Sequence, residues 1–332
     1  MRTVLSLSML ILAFCVGCQQ PVPELNNYEP KDIVVPLDTD RPEPLIEPLV
    51  PRVAPPADTT PPEEGTPSEA APAESTGIVS EVFGKYAAEA VPLPPVEDLT
   101  TQIDEYITKM GEALELLDGS PRYASDASDI VRDSNALALV AHAVGLAEAD
   151  SEYKKSAPQI VASAQNLAAA KNLEEGQKSY AALKESLAGV GRGQSLAWSD
   201  KVASLTAAMK ALPNLSSTVK RVTDTPRKLN TILDRRSQQI FGQTAAMAVI
   251  AQGAIPNVAE TPKPDAVAEW KKYCEEFRDA AIKVNAVTRQ HAKDRAEEKD
   301  PDYAIFNNAF KAMSESCDNC HKVFYPQAVG KE

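Results

Sequence analysis

Aromatic residues make up only 5% of the 332 residues, histidine occurs three times, and no basic stretch interleaved with aromatics is present. Nucleic-acid grooves need both cations and stacking rings, so no nucleic-acid partner is expected. Phosphate loops, dinucleotide fingerprints and nucleophile motifs are also missing, which leaves enzyme chemistry without a seat. After Pro95 there is little β-branched alternation, which argues against sheets. The apolar run within residues 1–18 is too short to span a membrane as a helix.

What is there begins with that run. MRTVLSLSMLILAFCVGC carries one charge at Arg2, then apolar residues, then small ones before Cys18, the layout of an export signal. Its ending, CVGC, resembles the lipobox of bacterial lipoproteins, and the resemblance implies lipidation of Cys18 and a membrane anchor there. Cys15 stands where that family usually carries leucine, so an ordinary secreted protein remains the alternative. Gln19 resembles an outer-membrane sorting signal, but the rule varies between bacterial groups and the choice of membrane stays open. From 19 to 95 the chain is dense in proline and carboxylates, as in DRPEPLIEPLVPRVAPPADTTPPEEG. Proline fixes φ and removes an amide donor, so a disordered, extended tether is expected, with roughly 3 Å of reach per residue.

Alanine, leucine, lysine and glutamate dominate after Pro95, with apolar residues three and four apart, which predicts an all-α body. Four helices are expected in the C-terminal half. They lie near 197–212 (Val202, Leu205, Met209, Leu212), 230–254 (Phe241, Ala245, Ala248, Val249, with Ile255 at its end), 264–290 (Trp270, Tyr273, Cys274, Phe277, Ala281, Val284, Val287) and 301–324 (Phe306, Phe310, Met313, Cys317, Cys320, Phe324). Each presents one apolar stripe and none is apolar all round. The N-terminal half repeats the series in short matches: TKMGEAL (108–114) with AAMKALP (207–213), ALVAH (138–142) with AVIAQ (248–252), YKK (153–155) with WKK (270–272), and YAALKESLAGVG (180–191) with FKAMSESCDNCH (310–321). The expected organisation is two tandem four-helix bundles, at 96–193 and 195–325.

In the last match, Cys317, Cys320 and His321 stand against Leu187, Val190 and Gly191, so only the second copy carries CDNCH. Positions i, i+3 and i+4 fall on one helical face, and a single turn can offer two thiols and an imidazole together. C-x-x-C-H therefore reads as c-type haem attachment: Cys317 and Cys320 anchor the porphyrin, and His321 supplies a neutral nitrogen to iron. Three rivals stay open. Zinc wants four ligands, and beyond this cluster the mature chain offers only Cys274, His142 and His291. A redox dithiol belongs at a strand-to-helix junction, of which the sequence gives no sign, and the third rival is chance.

With these residues in view, 200–324 resembles the class II cytochromes c, the cytochrome c′ group of four-helix bundles with C-x-x-C-H near the C-terminus. AAMKAL (207–212) is similar to that family's first-helix motif and EWKKYCEEFRDAA (269–281) to its tryptophan-bearing third helix. The resemblance implies that Met209 lies over the distal face of the haem, either as a thioether ligand or as a pocket lining. The plainer reading is a core methionine, which Met110 in the haem-free copy supports. The family often places an arginine three or four residues after the motif. Here Phe324 and Tyr325 follow, and Arg221, Arg235 and Arg236 are the cations available for haem propionates.

Cys274 reads as a small buried hydrophobe, Trp270 and Phe277 as core, and His142 and His291 as structural. The functional expectation is a periplasmic, membrane-anchored lipoprotein with one covalent haem c, carrying single electrons to or from a redox protein. The net charge of −13 would steer a basic one. Two alternatives stand beside it: a five-coordinate sensor or scavenger of nitric oxide or carbon monoxide, and a structural or interaction lipoprotein.

Overall fold

The structure, a computed structural model, describes residues 91–118, 123, 127–189, 195–222 and 226–328. The export signal, Cys18 and the tether as far as residue 90 lie outside the described residues. Among the described residues the chain is all-α, with helices and no strand. Eight long helices follow in order: α1 (Val96–Leu116), α2 (Ser128–Leu146), α3 (Ala157–Ala168), α4 (Leu173–Ala188), α5 (Leu205–Val222), α6 (Pro226–Gly253), α7 (Val267–Ala296) and α8 (Tyr303–Phe324). Short 3₁₀ turns occupy Ile255–Glu260 and Pro326–Ala328.

Local signals fix several of these ends. Glu97 and Asp98 complement the dipole in the first turn of α1. At α4, Asn172 Oδ1 accepts from the Glu175 amide at 2.9 Å while the Glu175 carboxylate accepts from the Lys171 amide at 2.9 Å, two otherwise orphaned donors satisfied by one pair. Asp302 caps α8 through the Ala304 amide at 2.9 Å.

Three sequence expectations need correction. Residues 91–95, expected to be the end of the tether, belong to the body: Val91 and Leu93 pack on the core and Pro94 is buried. The helix expected near 197–212 spans Leu205–Val222. Residues 195–204 are held out of a helix by partners distant in sequence: the Gln165 amide donates to the Val202 carbonyl at 2.8 Å, and Asn257 to the Ala203 carbonyl at 2.7 Å. At the other end Pro213 does not stop the helix but sits inside it. The third correction concerns α6, expected to be one-sided. Every residue from Ile240 to Gly253 is buried.

Packing explains this burial. Within the N-terminal half α1, α2, α3 and α4 pack in sequence and α4 returns onto α1. The C-terminal helices also pack in sequence, but α5 and α8 make at most marginal contact. The halves meet where α1 and α2 lie on α6 and α2 lies on α5, so α6 is covered on all sides. Small residues allow the approach: a Cβ on Gly253 would overlap Cδ2 of Leu139. A polar brace crosses the same junction. Buried Asp98 of α1 accepts from Arg289 at 2.5 Å and from Asn285 at 2.9 Å, both on α7, and Asn285 also donates to the Phe241 carbonyl of α6 at 3.0 Å. Among the described residues no helix is long and apolar enough to cross a membrane.

Candidate functional site

Where α5 and α8 make at most marginal contact, a narrow cleft of about 50 Å³ opens. Its walls come from all four C-terminal helices. α8 contributes Cys317, Cys320 and His321, α7 contributes Trp270, Tyr273, Cys274 and Phe277, α5 contributes Met209 and Leu212, and Ala251 of α6 lies at its base. The four residues picked from sequence, Met209, Cys317, Cys320 and His321, are thus brought to one cavity. All four are half-buried.

The wall is held by aromatic packing. Trp270 is buried, donates its indole N–H to the Ala254 carbonyl at 3.0 Å, and meets Phe324 edge-on at 5.1 Å between centroids. Tyr273 meets the same Phe324 at 6.3 Å. Phe324, standing where the resembled family often has arginine, therefore serves as core beneath the motif and not as a contact for an anion. Burying such a ring is worth about 2–3 kcal/mol. The Tyr325 amide donates to the His321 carbonyl at 2.8 Å and closes α8 directly behind the imidazole.

Electrostatics bear on the rival chemistries. Burial, helped by nearby Glu269, pushes the Cys320 thiol up to about 12. Burial also raises Cys274 well above the ordinary thiol range, with Cys320 the next contributor. Thiols so raised are protonated at neutral pH, whereas dithiol exchange draws on thiolates. Among the described residues no three His, Cys, Asp or Glu side chains gather to hold an ion. The walls of this narrow cleft are sulfur, aromatic and aliphatic, the lining that suits a flat, largely apolar group. Two thiols and an imidazole lie on the side where a porphyrin with thioether links and an axial nitrogen would need them, so the residues present fit haem c.

Sequence reading missed some of this wall. Cys274 was read as a hydrophobe and is one, yet it faces the cleft beside the motif cysteines. Leu212 lines the cleft one turn after Met209. Arg278, next to Phe277, is a buried guanidinium donating to Gln252 Oε1 at 2.7 Å and Asp279 Oδ1 at 2.8 Å, which brings a cation behind the α7 wall. Its only signal was a charge set into an apolar stripe. Of the cations considered for propionates, Arg235 and Arg236 are exposed and do not line the cleft, and the Arg221 side chain lies outside the described residues.

The remaining candidates fall elsewhere. Met110 is core, its sulfur accepting from the Ser134 hydroxyl at 3.1 Å. His142 is buried edge-on to Trp198 at 5.3 Å; Ala197 stands near its ring without a well-formed hydrogen bond to either nitrogen. His291 packs against Phe306 at 6.0 Å. Neither histidine lines the cleft. Of the matched repeat segments, YKK lies in the turn before α3 while WKK lies within α7; the other three pairs fall on corresponding helices. Leu187, opposite Cys317 in that comparison, is half-buried, and Val190 and Gly191 lie outside the described residues. The chain matches no family model, no curated protein and no solved structure.

Proposed function

We propose that the chain is an envelope-located monohaem c-type cytochrome that passes single electrons, with two tandem four-helix bundles of which the second holds the haem. One observation carries the reading. Cys317, Cys320 and His321 of CDNCH line one narrow cleft together with Met209 and Leu212 of α5 and an aromatic wall from α7, two thiols and an imidazole gathered on an apolar pocket.

In this reading Cys317 and Cys320 would hold the porphyrin through two thioethers and His321 would offer its imidazole nitrogen to the iron. Met209 approaches from the opposite wall, while Trp270 and Phe277 exclude water. Haem c supplies a one-electron iron couple whose potential follows its axial ligands and the burial around it. Cys18, on the sequence reading, tethers the body to a membrane, and the partner is another redox protein. A second reading has support in Leu212: if that residue, and not Met209, covers the distal face, the position opposite His321 is open to a small gas.

The test is an absorption spectrum, oxidised and reduced, of the full chain matured by a host that attaches haem. Bands of a c-type haem that stay with the chain after acid–acetone extraction are expected, as is their loss in Cys317→Ala/Cys320→Ala. Colourless protein with both thiols open to alkylation overturns the proposal.

A further inference from the structure

A groove of about 430 Å³ runs along the outward face of α7, apart from the cleft. Ile282, Ala286 and Lys293 line it from α7, and Leu93, Pro94 and Pro95, just ahead of α1, form its near wall. Among the described residues α7 is packed chiefly by α6 and α8, and this face is left over: Ala286 is exposed and Ile282 half-buried. The groove is not an anion site, because Arg289 at its edge is held by Asp98 and Glu97. What it offers is an apolar floor of Ile282, Ala286 and Leu93.

The stretch of chain that leads to this wall differs from the rest of residues 19–95. No proline stands between Pro72 and Pro92, and residues 78–90 read IVSEVFGKYAAEA. Val79, Val82, Phe83, Tyr86 and Ala90 recur three and four apart, the spacing of one helical face, while Ser80, Glu81, Gly84 and Lys85 fall opposite. Glu81 and Lys85, four apart, favour a helix, and Pro92 disfavours its continuing past Ala90. Thirteen residues with an internal glycine make at best a marginal helix in water, so this one needs a surface for its apolar face.

We propose that residues 78–90 form an amphipathic helix that docks in this groove, laying Val79, Val82, Phe83 and Tyr86 on Ile282 and Ala286. Lengths agree. A 13-residue helix is about 20 Å long, the α7 stretch from Ile282 to Lys293 rises about 16 Å, and the three residues from Ala90 to Leu93 reach about 10 Å. A segment joined so closely to the groove is presented to it at a high effective concentration, and a modest apolar contact suffices to hold it. The docked helix covers Asn285 and Arg289, so it seals the brace between α1 and α7 and leaves only residues 19–77 as free tether. This inference does not rest on the haem reading.

The experiment is amide hydrogen exchange of the full chain, read by mass spectrometry on peptides from 78–90 and, for reference, from the proline-dense stretch 40–70. Amides of 78–90 are expected to exchange at least about tenfold more slowly than their sequence dictates, and those of 40–70 at the unprotected rate. Phe83→Ser and Ala286→Glu should each return 78–90 to the unprotected rate, and Gly84→Ala, on the outer face of the helix, should slow it further. Ala286 is exposed, so α6 and α8 peptides should keep their rates in Ala286→Glu, and Phe83→Ser leaves the body untouched. Unprotected 78–90 in the unaltered chain, or protection that survives Ala286→Glu, overturns the proposal. Protection that grows with protein concentration would assign the stripe to a second copy, and protection found only with anionic phospholipid vesicles would assign it to a membrane; either result also overturns it.

Discussion

Met209 holds its sulfur in the cleft wall while its carbonyl lies four residues before Pro213, which has no amide to donate. The helix is therefore softer at the residue on which axial ligation turns. On the proposed function, Met209→Ala converts a low-spin spectrum to a high-spin one, at a stability cost of about 1–3 kcal/mol for a half-buried methionine. An unchanged spectrum assigns the distal wall to Leu212 and favours the gas-binding reading. The two buried histidines make a separate prediction about acid. Burial holds His142 and His291 below the ordinary imidazole value of 6.5. The unfolded chain then binds more protons than the folded one as pH drops through 6.5, so stability present above that value is lost on acidification until the lower folded values are reached. The loss should approach about 1 kcal/mol per pH unit for the deeply buried His142 and be smaller for His291. Denaturant midpoints at pH 7.5 and 5.5 measure it. His142→Phe should flatten the difference by about half, and an unchanged slope would show that the ring takes up its proton alike in the folded and unfolded chain.

At the scale of elements, α7 and α8 were legible because bulky residues three and four apart, from Trp270 to Val287 and from Phe306 to Phe324, leave one face in no doubt. The extent of α5 was not. Its start is set by Gln165 and Asn257, residues tens of positions away that hold the Val202 and Ala203 carbonyls out of the helix, and Pro213 was tolerated where local chemistry argues for a stop. The burial of α6 was hidden for a different reason. Alanine and glycine are compatible with solvent and with a crowded core alike, so Ala245, Ala246, Ala248 and Gly253 give no hint that four other helices cover them. The site divides along the same line. CDNCH could be read because its chemistry is confined to one turn, whereas the approach of Cys274, Leu212 and Ala251 to that turn depends on how three further helices pack. The Tyr153–Trp270 pairing misled because a short similarity carries no information about whether its residues lie in a turn or a helix.

For the whole molecule, the acid excess belongs mainly to residues 19–95, which carry fourteen acidic against four basic residues. From 96 to 332 there are 33 acidic and 29 basic residues, so on the proposed function a basic partner would be steered chiefly by residues 19–95. The described body behaves as one unit in a further respect. Two independent bundles would each keep their apolar and charged groups to themselves. Here α6 is buried partly by α1 and α2, Leu139 of α2 occupies the space left by Gly253, and Asp98 of α1 is satisfied by Asn285 and Arg289 of α7. Separating the halves would expose the apolar face of α6 and strand a buried carboxylate site, so neither half keeps its full stability alone. Denaturant unfolding of the chain should accordingly show one transition, coincident by far-UV circular dichroism and by Trp198 and Trp270 fluorescence. Asp98→Ala should lower its free energy by about 2 kcal/mol, since Asn285 and the part-exposed Arg289 lose a charged acceptor, while keeping the transition single and its slope unchanged. Two resolved transitions in the unaltered chain would mean that the junction is a contact between autonomous bundles. A second transition appearing only in Asp98→Ala would locate the coupling in this one brace and not in the burial of α6.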